Sequence, residues 1–88
     1  MNTFRDTLIA AVTMYDNQQF IHCAGKKSRY YNPNALHLYL EAVERAANAV
    51  NCGTTRREAL LDSFTGHLLN DCFKALGMDK ATDAEQRM

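Results

Sequence analysis

The sequence predicts an all-α fold: a small antiparallel three-helix bundle that self-associates. Three observations carry this expectation. Apolar residues recur every three to four positions through three separate stretches. Each stretch is bounded by residues that start or stop helices. Only one proline occurs in 88 residues, so little interrupts helical backbone.

The first helix is expected over about 3–24. Thr3 is followed three residues on by Asp6, an acceptable capping arrangement. Phe4, Leu8, Ala11, Val12 and Tyr15 then share one face. The pattern weakens through Asn17-Gln18-Gln19, so a short extended stretch over Gln19–Cys23 is the competing reading. The long helix is preferred, because Gly25 is a suitable C-terminal stop and Lys26-Lys27 complement the helix dipole there. Residues 25–32 read as a loop.

The second helix, about 33–50, opens at Asn32-Pro33. Asn is a preferred N-cap, and Pro in the first helical position loses no hydrogen bond. Leu36, Leu40, Val43, Ala47 and Val50 make one stripe; Ala35, Tyr39, Ala42, Ala46 and Ala49 make a second beside it. The face is wide and rich in alanine, which permits close helix approach. Asn51-Cys52-Gly53 ends it.

The third helix is expected over about 55–76, from a Thr55/Glu58 capping box to a stop at Gly77. Leu61, Phe64, Leu68, Cys72 and Ala75 form its core stripe, flanked by Leu60, Leu69, Phe73 and Leu76. Gly66 sits inside this stretch, where glycine costs roughly 1 kcal/mol relative to alanine. A bend, a close neighbouring helix, or simple tolerance on the solvent side would each account for it. Residues 1–77 are therefore read as one helical domain, and 78–88 as a polar, frayed tail.

Size and composition narrow the function classes. A chain of 88 residues, 47% hydrophobic, folds on one core, but a thin one, and self-association is a common remedy. A homodimer is expected. Ten basic residues balance ten acidic ones, unlike the excess positive charge of a dedicated nucleic-acid or membrane-surface protein. The three cysteines, Cys23, Cys52 and Cys72, do not pair off evenly and match no CxxC-type metal spacing. The first residues lack the apolar core of a secretion signal, and no apolar run exceeds five residues. A cytoplasmic protein with no membrane partner is expected.

Two clusters are candidate binding sites. The loop residues Lys26, Lys27, Arg29, Tyr30 and Tyr31 combine cations with adjacent aromatics, a set suited to a phosphate backbone and a stacked base, or to a protein contact. A solvated loop is the plain alternative. Thr54, Thr55, Arg56 and Arg57 stand at the start of the third helix, where cations are unfavourable unless an anion accompanies them; arginines pointing into solvent are again the plain alternative. In an up-down-up bundle these two clusters lie at opposite ends. His37 with Glu41, and His67 with Asp71, share helix faces at i,i+4, but neither pair has further ligands at a recognisable spacing, so no metal or other cofactor is expected.

No nucleophile elbow, phosphate loop, HExxH or paired-carboxylate pattern occurs. The expectation is a non-enzymatic helical interaction protein acting as an adaptor, regulator or inhibitor on a protein partner, a profile common among phage and plasmid accessory proteins. The alternative is a small nucleic-acid-associated regulator using the basic-aromatic loop and the arginine pair.

Overall fold

Apolar periodicity and helix punctuation are realised as four helices in the computed structural model, which describes residues 3–24, 33–80 and 82. They are α1 (Thr3–Ala24), α2 (Ala35–Asn51), α3 (Arg56–Ser63) and α4 (Gly66–Ala75). Among the described residues there is no strand. Helix α1 packs on α2 and α4, and α3 also touches both α2 and α4, so the four helices close a ring around one core.

Helix α1 continues through the weak Asn17-Gln18-Gln19 stretch to Ala24, and the extended alternative for Gln19–Cys23 is not adopted. Its expected stop at Gly25 lies outside the described residues, as does the Asn32 cap. Helix α2 begins two residues later than the sequence suggests. Pro33 and Asn34 form a turn, and Asn34 holds the cap position with helical backbone while its carbonyl accepts from the Leu38 N–H at 3.3 Å.

The end of α2 is built by hydrogen bonds. The Thr54 N–H donates to the Ala49 carbonyl at 2.9 Å and the Gly53 N–H to that of Val50 at 3.1 Å. The same pair recurs after α4, where Met78 donates to Phe73 at 2.8 Å and Gly77 to Lys74 at 3.1 Å. These are the two bonds of a Schellman stop, which satisfy carbonyls the helix itself leaves open. Met78, assigned to the polar tail by sequence, packs partly buried against the core.

The expected single helix over 55–76 is broken in two, so the described helices number four rather than three. Helix α3 starts as predicted: the Thr55 hydroxyl accepts from the Glu58 N–H at 3.1 Å. Helical backbone then stops at Ser63. Phe64 (φ −133°, ψ 157°) and Thr65 (φ −138°, ψ 165°) are extended, and Gly66 restarts the chain at φ 61°. Glycine adopts this left-handed conformation without the steric penalty other residues incur. A Cβ placed at Gly66 would meet no atom within 4 Å, so the bend is its role and a close neighbouring helix is not.

The break resets the helical phase. In α4 the buried residues are Leu68, Leu69, Cys72 and Phe73, which leaves Ala75, expected on the core stripe, exposed. In α3 the fully buried leucine is Leu60, and Leu61 is only partly covered. Phe64 stays buried in its extended conformation, so the linker itself contributes to the core. Phe4, Leu8 and Val12 enter from α1, and Ala42, Val43, Ala46 and Ala47 from α2. The buried alanines, together with Ala59 of α3, keep the helix axes close.

Candidate interaction surface

The arginine pair at the start of α3 is engaged within the chain. The Arg56 guanidinium lies 5.3 Å from the centre of the Phe4 ring, and that of Arg57 lies 4.7 Å from the Phe73 ring, both within reach of cation–π attraction. Arg57 also donates to the carbonyls of Asp79 at 3.0 Å and Lys80 at 3.3 Å, tying the segment after α4 to the start of α3. Thr55 is occupied as the N-cap, and the Thr54 N–H closes α2. The second predicted cluster, Lys26, Lys27, Arg29, Tyr30 and Tyr31, lies outside the described residues.

His37 Nε2 approaches Glu41 Oε1 at 3.0 Å on the exposed side of α2. Among the described residues no group of three or more His, Cys, Asp or Glu side chains is placed to hold a metal ion. Cys72 is fully buried, and burial, aided by the Asp71 carboxylate, pushes its thiol up to about 12; this suppresses the thiolate that nucleophilic chemistry requires. Arg5 bonds Glu44 at 2.7 Å through Nε, with Nη2 also 2.7 Å from the same oxygen. The hydrogen bond and then the charge of Glu44 raise the arginine further. Tyr15 and Tyr39 meet edge to face, with centroids 5.8 Å apart. Burial, followed by Tyr15 and Asp16, raises the Tyr39 phenol.

Compared with family models, curated proteins and solved structures, the chain matches none. Any functional reading therefore rests on the surface itself.

Concavities on that surface include two that adjoin α1. One, of about 320 Å³, lies beside the α3–α4 break among Leu38, Tyr39, Arg45, Phe64 and Thr65. The larger, about 580 Å³, is an open groove between α1 and α4, lined by Thr7, Ala10, Ala11, Met14, Tyr15 and Gln18 on one wall and by Asp71, Lys74 and Ala75 on the other. Its α1 wall is uncharged. Met14 is 63% exposed and Ile21, one turn beyond the groove, 62%.

Chemical uniformity distinguishes this face more than depth does. From Thr7 to Ile21 the one charged residue is Asp16, and it is only 7% exposed. The outer surface of α1 thus presents no charged side chain over fifteen residues, in a chain whose charged content is 23%. Even the exposed Thr13 hydroxyl is satisfied internally, donating to the Ile9 carbonyl at 2.7 Å. The basic clusters drew attention in the sequence, whereas this signal was a missing one: charges absent from one helix. Among the described residues, no helix is long and apolar enough to cross a membrane.

Proposed function

We propose that this chain is a non-enzymatic helical interaction protein, an adaptor, regulator or inhibitor whose outer α1 face docks on protein. Arg5 meets Glu44 while Tyr15 meets Tyr39, contacts that support reading α2 as running back along α1 and the helices as an antiparallel bundle. Such packing leaves one long side of α1 facing outward. The observation that carries the reading is that this side exposes Met14 and Ile21 with no charge among them. Exposed apolar surface without charge is the composition of interface centres, from which charged residues are depleted. Self-association, expected from the small core, belongs to the same reading.

The nucleic-acid alternative gains no support from Arg57, whose donors face backbone carbonyls and the Phe73 ring. The test is affinity capture from the native host with wild type, Met14→Glu, and Asp62→Lys as an exposed control. Capture of a protein by wild type and by the Asp62 variant, lost with Met14→Glu, is the expected result. Equal capture by all three would remove the α1 face from the account. Capture that is lost on nuclease treatment would favour the alternative.

A further inference from the structure

We infer that the bend at Phe64–Gly66 is a hinge for domain exchange. Residues 56–75 straighten into one helix, and α4 leaves its own α1 to take the same place on α1 of a second copy. The occupant follows from the fold, because the surface that α4 covers in one chain is present unchanged in the other. The inference stands apart from the outer face of α1.

Little at the break itself holds it bent. The helical ladder ends with the Phe64 N–H on the Leu60 carbonyl at 2.9 Å and resumes with the Leu69 N–H on that of Thr65 at 3.3 Å. In a continuous helix the N–H groups between them, of residues 65–68, would pair with the carbonyls of residues 61–64. Thr65 gives α4 no side-chain cap, and Thr65, Gly66 and His67 are all exposed. No atom lies within 4 Å of a Cβ added at Gly66, so no packing there holds its φ of 61°. The chain on either side suits one helix. The Thr55 cap on Glu58 opens it, the Gly77 and Met78 bonds close it, and Phe64 stands four residues from both Leu60 and Leu68. Helices of eight and ten residues are short to persist by themselves, and one of about twenty is more favourable.

What holds the bend is tertiary. Helix α3 packs on α2 while α4 packs on α1. The two ends of the bend are joined where Arg57 stacks on the Phe73 ring and bonds the carbonyls of Asp79 and Lys80. On one straight helix positions 57 and 73 are about 24 Å apart, so a single straightened chain cannot keep that stack. Leu68, Leu69, Cys72 and Phe73 would also leave the core, and exposing them is too unfavourable for an open chain to persist alone. A second copy restores all of these contacts: its α4 meets the first chain's α1, and its Phe73 ring meets the first chain's Arg57. Exchange of an identical element between protomers is a low-cost route to a dimer, because only the hinge is rebuilt. Here rebuilding the hinge adds helical hydrogen bonds.

The test compares wild type, Gly66→Ala and a chain with Gly-Ser-Gly inserted between Thr65 and Gly66. Each is refolded from urea at about 5 and about 500 µM and weighed by sedimentation equilibrium, since mass action favours exchange at the higher concentration. Alanine disfavours the left-handed turn and favours helix, together roughly thirty-fold per chain. The dimerisation constant contains that factor twice, so Gly66→Ala is expected to pair roughly a thousand-fold more tightly than wild type. At the higher concentration its mass is expected near twice 9.9 kDa. The lengthened linker relaxes the bend and interrupts the straight helix, and is expected to keep the chain single. In mixtures of isotope-labelled and unlabelled chains, the α1–α4 methyl contacts of the dimer are expected between copies. Met14→Glu added to Gly66→Ala is expected to leave the dimer intact, so this inference and the docking role of the outer α1 face fail separately. A folded Gly66→Ala that stays single at the higher concentration overturns the proposal, as does a dimer whose α1–α4 contacts remain within each chain. Equal pairing by the lengthened linker, or loss of the dimer with Met14→Glu, overturns it too. Should Gly66→Ala not fold, Thr65→Ala, which removes no capping bond, carries the same test with an expected gain of about five-fold.

Discussion

Replacing Gly66 by alanine separates a broken third helix from a continuous one by the sign of the effect. At φ 61° an L-residue incurs about 1–2 kcal/mol of steric cost with its own backbone. No neighbouring atom lies within 4 Å of the added Cβ, so packing adds nothing to that penalty. Alanine also restricts the unfolded chain, which returns about 0.4–1 kcal/mol. The balance is a destabilisation of about 0.5–1 kcal/mol, seen as a fall in Tm of a few degrees for a domain of this size. In a continuous helix over 55–76 the same change would stabilise by about 1 kcal/mol, because alanine is the better interior residue. Gly66→Asn should cost less than Gly66→Ala, since asparagine tolerates the left-handed region. Thermal unfolding followed by circular dichroism, supported by urea midpoints, measures both. A higher Tm for the alanine variant, with added helical signal, would refute the break.

Four further outcomes follow from the core, the cap and the buried thiol. Leu68→Asp should abolish the cooperative melt, because Leu68 is only 6% exposed and an unpaired carboxylate there costs more than a small domain can spare; an unchanged melt would contradict the core assignment. Thr55→Ala should destabilise by about 1 kcal/mol in urea titration through loss of the Oγ1 cap on the Glu58 N–H. Arg57→Ala should cost about 1 kcal/mol and speed amide exchange or proteolysis in the segment after α4, since it removes the Phe73 stacking and the bonds to the Asp79 and Lys80 carbonyls. At pH 8 iodoacetamide should label exposed Cys52 and spare Cys72 until the protein unfolds, as mass spectrometry would show. The Cys72 thiol, near 9.0 when unfolded, is raised to about 12 in the fold. The stability linked to it is therefore complete below pH 9 and declines as pH rises towards 12.

Much of the fold was legible because local and tertiary signals agree. Thr55 with Glu58, Gly53 and Gly77 marked helix ends that the hydrogen bonds then built. Phe4, Leu8 and Val12, and Val43 with Ala47, were placed correctly in the core by their spacing alone. The break at Phe64–Gly66 was not resolved, because Phe64 remains buried in an extended conformation and so preserves an apolar pattern that a continuous helix would also produce. Periodicity reports which residues face inward, not whether the backbone between them is helical. Pro33 promised a helix start that was realised two residues later, a shift of the size helix-end rules allow.

The candidate site was less legible for a different reason. Arg56 and Arg57 stood out as cations at a helix start, yet their partners, the Phe4 and Phe73 rings and the carbonyls after α4, lie far away in sequence. Asp16 continues the four-residue spacing of Phe4, Leu8 and Val12, and its burial is what leaves the outer face of α1 without a charge.

Photo-crosslinking in living host cells tests whether the outside of α1 is a contact surface. A benzophenone amino acid replaces Met14 in one variant and Asp62 in another. Protein adducts at position 14 that are absent at 62 are the expected result. No adduct at position 14, or equal adducts at both positions, would contradict it.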